Sequence, residues 1–313
     1  MILNIILLII GMVLLIKGAD FFVSGASKVA KALKIPSLII GLTLVSIGTS
    51  APELSVSITA SLQGKNDMSF GNIIGSNIFN TFVVIGCSAL FTPLVLDKKM
   101  KKYDIPILIA IYLLIILFGF AITPFVISFV ESLIVFLCTI AYTVFLIMRS
   151  KNDIVEEKEE KTGKWYINVL LIIIGLAGII AGGNFVVDSA SYIATKLGMD
   201  EILVGLTIVA VGTSLPELVT SVVASKKGEN DIAIGNAIGS CIFNIILILG
   251  LSGIISPVTL TMISLVDVLV MLFSIVMIVI LSLKKDKIGK AGGIILIILY
   301  VIYLAYIIYR NTL

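Results

Sequence analysis

The sequence predicts an all-α polytopic membrane protein of ten transmembrane helices, arranged as two inverted repeats of five helices each. Hydrophobic residues make up 59% of the 313-residue chain and charged residues 13%, with a mean hydropathy of +1.20. A soluble domain of this size could not bury so much apolar surface, so the apolar segments are expected to face lipid. Two stretches, Gly41 to Asn80 and Gly205 to Asn244, are identical at 24 of 40 positions without a gap, which indicates an internal duplication.

Apolar runs separated by short polar breaks predict the membrane helices. Their bounds are about 2–31, 36–61, 69–94, 104–122, 125–148, 166–196, 202–225, 232–256, 262–283 and 291–309. The first run has no basic flank and no small-residue cleavage site, so it is predicted to be a membrane helix and not a signal peptide. The longest break, Arg149 to Lys164, is charged and of mixed sign, which is typical of a solvated linker. The predicted domains are therefore a repeat at 1–148, a linker at 149–164 and a repeat at 165–313.

The distribution of basic residues predicts the orientation in the membrane. Five helices are an odd number, so two such repeats enter the membrane from opposite sides. Alternating the loops from the N-terminus places 17 Lys and Arg residues on the far side and 3 on the near side, leaving out Lys17 and Lys28 within the first helix. Basic loops stay in the cytoplasm. The expectation is a multi-pass plasma-membrane protein with both termini extracellular and the central linker cytoplasmic.

Several functional classes are excluded by composition. The chain has no His, and its three cysteines are scattered through apolar runs, so neither a zinc or haem site nor a disulfide framework is expected. There is no basic, aromatic-rich soluble segment, so nucleic-acid binding is not expected. No nucleophile or metal-protease motif is found, which predicts that the protein is not an enzyme and needs no cofactor.

The duplicated segments carry a polar, proline-containing motif inside apolar surroundings. In GTSAPE, Gly48 to Glu53, Pro52 has no N–H, so the carbonyl of Gly48 loses its helical partner. Freed carbonyls in a bilayer need other partners, and a cation is one. Helical spacing places one set of side chains on a common face: Ser46, Thr49, Ser50, Glu53 and Ser57 in the first copy, and Ala210, Thr213, Ser214, Glu217 and Ser221 in the second. The next predicted helix carries Asn72, Ser76 and Asn80 four apart, repeated as Asn236, Ser240 and Asn244.

These faces offer only oxygen ligands, which suit hard cations such as Na⁺ and Ca²⁺. A mid-membrane carboxylate costs roughly 2.5–3.5 kcal/mol on insertion scales, and two nearby carboxylates repel each other. Neither motif helix has a central Lys or Arg, so the compensating charge must come from protons or bound cations. One Ca²⁺ or two Na⁺ balance two carboxylates. Suppose that the empty, doubly negative site cannot switch between facing the cytoplasm and facing the outside. Then only the ion-loaded protein switches, which produces exchange of ions and not a leak.

Structural interpretations of the same residues remain open. A Pro-kinked helix with Ser and Thr, or a lone protonated Glu bonded to a neighbour, needs no ion. Gly71, Gly75, Gly235 and Gly239 are interpreted as positions of close helix packing. Among the remaining carboxylates, Asp20 is expected to pair locally with Lys17, and Asp67 and Asp231 are expected to be loop carboxylates or helix caps. The joint occurrence of Glu, kink, hydroxyls and paired Asn, twice and in register, favours a cation site.

At these motifs the chain resembles prokaryotic members of the sodium/calcium exchanger family, within the calcium:cation antiporters. That family is recognised by G-T-S-x-P-E and G-N-x-x-G-S-x-x-x-N, both present twice here. The resemblance implies that Glu53 and Glu217 are shared by Ca²⁺ and Na⁺, with the carbonyls of Thr49 and Thr213 completing the Ca²⁺ site. It further implies an inner Na⁺ site at Ser46, Ser50 and Ser76, an outer one at Ala210, Ser214 and Ser240, and flanking amides at Asn80 and Asn244.

The resemblance also implies a mechanism. The first helix of each half, about 2–31 and 166–196, would slide across a rigid core to alternate access, within a monomeric transport unit in the lipid bilayer. Na⁺ entering down its gradient would drive Ca²⁺ out of the cytoplasm. Potassium-dependent relatives have Asp where this chain has Asn244, which argues against K⁺ co-transport. Cation/proton exchangers have an acidic residue where Gly75 and Gly239 stand, which makes Ca²⁺/H⁺ antiport the second hypothesis. A passive cation channel is the third.

Overall fold

The computed structural model describes residues 1–152, 164–198, 210–283 and 286–312. These residues are almost entirely helical. In chain order the helices are α1 Ile2–Leu33, α2 Ser37–Thr49, α3 Ala51–Leu62, α4 Asn66–Phe91, α5 Met100–Ile122, α6 Phe129–Asn152, α7 Trp165–Lys196, α8 Ala210–Gly212, α9 Leu215–Lys226, α10 Asn230–Ile255, α11 Met262–Ser282 and α12 Lys290–Thr312.

Within the described ranges, eight helices are long and apolar enough to cross a membrane, and the bent pair α2 and α3 makes a ninth span. These nine correspond to nine of the ten predicted spans, with ends that shift by up to four residues. The remaining predicted span, 202–225, begins on residues outside the described ranges; its described part is α8 and α9. Helix α6 continues through Asn152, so the predicted linker begins with four helical residues.

Helices α4 and α10 form the centre of the molecule. Their most apolar windows are 83% and 78% buried, whereas those of the other long helices are 17–39% buried. Large apolar side chains of the outer helices, such as Ile9, Leu137 and Ile302, are exposed, as lipid-facing residues of a membrane protein would be. The two central helices therefore provide the rigid surface on which a polar site can be built inside the bilayer.

Helices α1 and α7 cross in opposite directions with their backbones almost touching. A Cβ atom added to Gly18 would lie 2.8 Å from the carbonyl oxygen of Gly175, and one added to Gly11 would lie 2.9 Å from that of Gly182. Small residues allow this approach, and in lipid such packing replaces the hydrophobic effect as the force that joins helices. The pair lies beside the end of α2, since the side chains of Phe22 and Leu176 face Gly48.

Four short strands were not predicted from the sequence. Strand β1 Leu94–Val95 pairs antiparallel with β4 Lys287–Ile288, and β2 Val126–Ile127 pairs antiparallel with β3 Val258–Thr259. Each pair joins a connection of the first half to a connection of the second half. Two residues are too few for a periodic pattern, so only the assembled halves reveal these strands.

Two buried or half-buried ion pairs close the helix hairpins. Arg149 near the end of α6 donates to both carboxylate oxygens of Asp104 in α5, at 2.9 and 2.8 Å. Arg310 in α12 binds Asp267 of α11 through two nitrogens, at 2.7 and 2.9 Å. Both arginines were expected to be loop charges, but each is paired with an aspartate within its own hairpin.

The glycine contact between α1 and α7 yields a stability prediction. Gly175→Ala would place a Cβ atom 2.5 Å from the backbone nitrogen of Phe22, so one helix must move. Overpacking of this kind costs about 1–3 kcal/mol. We expect a clearly lower Tm for the detergent-purified variant. Gly183→Ala is the matched control, because its Cβ would meet only the Pro216 side chain at 3.7 Å, and its Tm should stay near that of the parent. Equal Tm values for the two variants would contradict this packing.

Candidate cation-binding site

Two helix breaks position the predicted carboxylates. The segment α2–α3 bends by 49°, and the residue at the break, Ser50, has φ −82° and ψ 10°. Ser214, between α8 and α9, has φ −93° and ψ 6°. Pro52 and Pro216 stand in the first turn of the helix that follows, where a missing N–H does no harm. Helix breaks therefore occur at both proline motifs, and the bend is measured at the first.

Glu53 and Glu217 lie in the first turns of α3 and α9 and are completely buried. A helix N-terminus carries a partial positive charge and unpaired N–H groups, so it is a favourable place for a carboxylate. The break therefore both interrupts the membrane helix and creates the helix start at which the acidic residue sits.

Crossed hydrogen bonds bring the two carboxylates together. The hydroxyl of Ser50 donates to Oε1 of Glu217 at 2.8 Å, and the hydroxyl of Ser214 donates to Oε1 of Glu53 at 2.9 Å. Each glutamate is therefore held by the serine at the other break. Spacing alone could not reveal this exchange, because the partners are 167 and 161 residues apart.

Asn72 and Asn236 brace the two breaks from α4 and α10. The Nδ2 of Asn72 donates to Oγ of Ser57 at 2.9 Å and to the Glu53 carbonyl at 3.3 Å. Asn236 makes the same two bonds to Ser221 and to the Glu217 carbonyl, at 2.9 and 3.3 Å.

Threonines at the opposite breaks complete these braces. The hydroxyl of Thr49 donates to Oδ1 of Asn236 at 3.0 Å, and that of Thr213 donates to Oδ1 of Asn72 at 3.3 Å. The Oδ1 atoms of Asn72 and Asn236 are therefore both hydrogen-bonded within the protein. The sequence placed Asn72 and Asn236 in the polar stripes, but the structure assigns them to the support of the site.

The remaining predicted serines lie close to the carboxylates and to the adjoining helix breaks. Ser76 donates to Oε1 of Glu53 at 3.4 Å, and its Oγ lies 3.0 Å from Oγ of Ser214, so it lies at the carboxylates. Ser240 donates to the carbonyl of Ser46 at 3.4 Å, while the Ser46 hydroxyl turns back to the Leu42 carbonyl at 2.9 Å. Ala210 begins α8, and its side chain lies outside the described residues.

Asn80 and Asn244 begin wide π-helical turns, Asn80–Val84 and Asn244–Leu249, in the middle of α4 and α10. Such turns often occur at functional sites, because they shift side chains off the regular helical path. Each asparagine follows a site serine, Ser76 or Ser240, by one helical turn and shares its face. Both asparagines are fully buried.

Five polar atoms of these side chains are buried and have no hydrogen-bond partner in the described part of the chain. They are Oε2 of Glu53, Oε2 of Glu217, Oδ1 and Nδ2 of Asn80, and Oδ1 of Asn244. An unsatisfied buried polar atom costs about 1–3 kcal/mol, and an unpaired buried charge costs more. Four of the five are oxygens, which is the ligand chemistry that a hard cation requires.

No protein cation neutralises the glutamates within the described ranges. The ion pairs seen there are Lys101–Asp286, Arg149–Asp104, Lys227–Asp20 and Arg310–Asp267, and none involves Glu53 or Glu217. Among the described residues, the two carboxylates are thus bonded by hydroxyl groups and not by a basic side chain.

The family model of the sodium/calcium exchanger proteins matches residues 3–148 and 167–309. The chain belongs to the sodium/calcium exchanger family. The putative antiporter CaxA of Alkalimonas amylolytica is 41% identical over 261 residues, covering 80% of this chain and 81% of that protein. The sodium/calcium exchanger MaX1 of Methanosarcina acetivorans is 34% identical over 296 residues, covering 82% of this chain and 84% of that protein.

The fold agrees with that of a solved exchanger. The structure of the sodium-calcium exchanger NCX_Mj soaked with 2.5 mM Na⁺ and 0.1 mM Ca²⁺ matches with a TM-score of 0.85 and 31% identity, over 97% of this chain and 98% of that one. As a member of the sodium/calcium exchanger family, the chain is a multi-pass membrane antiporter for cations. Its family consists of transporters and not of enzymes.

Other expectations for this exchanger need correction. Asp20 does not pair with Lys17; its carboxylate lies 2.7 Å from Nζ of Lys227, at the end of α9. Lys227 also donates to the hydroxyl of Ser24, so this contact joins α1 to the second half. Asp67 lies in the first turn of α4 and accepts from the Thr259 hydroxyl at 3.0 Å, in agreement with a loop role.

The expected close glycine packing is found at Gly235 and Gly239. A Cβ atom on Gly235 or Gly239 would lie 2.8–3.0 Å from backbone atoms of the α2 segment. At Gly71 and Gly75 no such contact occurs with the described residues.

The threonine braces yield a testable prediction. Thr49→Val keeps the side-chain shape but leaves Oδ1 of buried Asn236 without its donor, which costs about 1–3 kcal/mol. The Tm in detergent should fall accordingly. Thr43→Val is the matched control, since the Thr43 hydroxyl bonds only the Ile39 carbonyl in the same helix, and it should change the Tm little. If both variants melt alike, the contact between Thr49 and Asn236 does not support the site.

Proposed function

We propose that this chain is a secondary antiporter that exchanges Na⁺ for Ca²⁺, with Glu53 and Glu217 as the central cation ligands. The observation that supports this proposal best is the pair of fully buried carboxylates joined by crossed serine bonds, each with one unpartnered oxygen and no basic residue among its described contacts. The related exchanger NCX_Mj was soaked with Na⁺, Ca²⁺ and Sr²⁺, which are all hard cations of the kind that this oxygen-rich site suits.

The proposed ligand set extends the two glutamates. The carbonyls of Thr49 and Thr213 complete a Ca²⁺ site, and Asn80 and Asn244 flank it. Na⁺ ions bind around the same glutamates, with Ser46, Ser50 and Ser76 on one side and Ala210, Ser214 and Ser240 on the other. The unpartnered oxygens of Asn80 and Asn244 and the contact of Ser76 with Glu53 support these assignments.

Charge neutralisation provides the coupling. One Ca²⁺ or two Na⁺ cancel the two carboxylates, and either load makes the centre neutral. An empty centre carries two negative charges in a medium of low dielectric, where their repulsion and desolvation are large. We propose that only the loaded states change their exposure, so that movement of one ion species in one direction requires movement of the other in return.

Alternating access follows from the arrangement of the helices. We propose that residues 1–148 and 165–313 are inverted halves joined by the linker at 149–164, with the termini outside and the linker in the cytoplasm. The pair α1 and α7 is the moving element, and α4 and α10 form the fixed core. The glycine-lined contact within the moving pair and its position beside Gly48 and Gly212 support this role.

Flux through reconstituted protein tests the proposed ion pair. Liposomes loaded with Ca²⁺ are placed in Na⁺ buffer or in choline buffer at the same pH, and release of isotopic Ca²⁺ is measured. We expect release that depends on external Na⁺ and is not driven by a pH step. Ca²⁺ release that ignores Na⁺ but follows pH would support Ca²⁺/H⁺ antiport instead. Release without any counter-ion would indicate a channel.

Substitution of the two glutamates tests the proposed ligands most directly. Glu53→Gln and Glu217→Gln each remove one negative charge but keep the side-chain volume, so a loaded site is no longer neutral. We expect Na⁺-dependent Ca²⁺ flux to fall by at least 100-fold in each variant, with normal yield of folded protein. Glu131→Gln is the control, because Glu131 is also buried but accepts from Thr123 and Ser128 at a connection away from the site, and it should retain exchange. Robust Ca²⁺ flux in either site variant would remove that glutamate from the mechanism.

A further inference from the structure

Asn77 is a buried polar residue next to the site that the ligand set does not use. It lies on α4 beside Ser76 and is completely buried. The residue at the matching position of the second half is Cys241, within the otherwise similar sequences GSNIFN and GSCIFN. An amide enclosed in this way must have its hydrogen bonds satisfied locally, so its partners define its role.

The orientation of the Asn77 amide is fixed by a backbone carbonyl. Its Nδ2 donates to the carbonyl oxygen of Cys241 at 3.1 Å. A carbonyl can only accept, so the amide nitrogen must face Cys241 and the amide oxygen must face the other way. That oxygen accepts from Nδ2 of Asn244 at 3.0 Å.

The same constraint passes on to Asn244. Because its Nδ2 is committed to Asn77, its Oδ1 is the atom left over, and this oxygen is buried with no hydrogen-bond partner among the described residues. A flipped Asn244 would turn an oxygen against the oxygen of Asn77 and present an N–H group in place of the ligand oxygen. N–H groups repel a cation, so the flipped state cannot serve as a ligand.

Asn80, the counterpart of Asn244 in the first half, lacks this support. Neither its Oδ1 nor its Nδ2 has a hydrogen-bond partner in the described ranges. Cys241 stands where a second asparagine would be needed, and its thiol contacts the Asn77 carbonyl at 3.7 Å. A thiol is a poor acceptor and offers no oxygen to hold an amide.

We propose that Asn77 is a positioning residue that holds the side chain of Asn244 with its oxygen presented to the cation, so that the two flanking asparagines are not equivalent. This inference rests on the proposed function, in which Asn244 is a cation ligand. Asn244 then acts as a pre-oriented oxygen ligand, whereas Asn80 must choose its orientation when an ion binds. Pre-orientation lowers the cost of binding at one end of the site.

A double-mutant cycle tests the coupling between Asn77 and Asn244. Asn77→Cys installs the residue that the other half already carries at this position, and Asn77→Leu is a second variant of similar volume without the amide. We measure the Ca²⁺ concentration for half-maximal exchange in proteoliposomes and the rise of Tm with Ca²⁺ in detergent. Loss of one oriented ligand should raise the half-saturating Ca²⁺ concentration about tenfold, with a smaller change in the maximal rate.

Measuring the Asn77 variants in two further mutant backgrounds distinguishes a positioning role for Asn77 from a general loss of stability. In an Asn244→Ala background, the Asn77 variants should add no further loss, because the residue they orient is gone. The Asn80→Ala background is the matched control. There the fold-increases in half-saturating Ca²⁺ concentration caused by the two substitutions should multiply. Equal added losses in both backgrounds, or no loss from either Asn77 variant, would overturn the assignment. These outcomes are distinct from failure of the proposed function, in which the parent protein would show neither Ca²⁺ exchange nor stabilisation by Ca²⁺.

Discussion

Two carboxylates buried in the membrane interior, each hydrogen-bonded by the serine at the other helix break, are the constraint on which the rest of this structure depends. Ser50 bonds Glu217 and Ser214 bonds Glu53, so neither half can form its part of the site without the other. Separately, each glutamate would be a costly charge in lipid, about 2.5–3.5 kcal/mol on insertion scales. In the proposed mechanism, the two charges together attract the cations that neutralise them. The site therefore depends on the duplication, because each copy of the motif supplies one glutamate and the serine that bonds the other glutamate.

The helix breaks serve several needs with one sequence motif. Proline interrupts the membrane helix, frees a carbonyl and starts a new helix whose N-terminus faces the acidic residue. The asparagine braces then bind the freed segments, since Asn72 and Asn236 each contact a carbonyl and a serine of the following helix and accept from a threonine of the opposite break. Without these braces, buried polar groups at the breaks would lose hydrogen-bond partners. The polar stripe on α4 and α10 is thus divided between support and binding.

The sequence predicted the features that depend on local pattern. Apolar runs predicted nine of the membrane spans and the burial of Glu53 and Glu217. Pro52 and Pro216 predicted the two helix breaks. The features it missed depend on how distant segments meet. Asp20 was assigned to Lys17 because that partner is three residues away, yet Lys227 binds it after the halves assemble. Arg149 was read as a loop charge because Asp104 is 45 residues distant. The role of Asn77 was not predicted, because nothing in its spacing indicates that it contacts Asn244.

The differences between the halves matter as much as their likeness. An identical inverted repeat would give the inward-open and outward-open states equal free energy, because a two-fold rotation in the membrane plane would convert one into the other. In this chain the carboxylates and braces are repeated, but the surroundings are not. Asn77 corresponds to Cys241, and the Asp20 that binds Lys227 corresponds to Asn184, with Gln63 in place of the lysine. A contact such as Asp20–Lys227 changes the relative energies of two states wherever it differs between them, because only differential contacts shift such an equilibrium. In the proposed mechanism, the repeated glutamates supply the central ligands, and unrepeated contacts such as Asp20–Lys227 bias the equilibrium between the two access states.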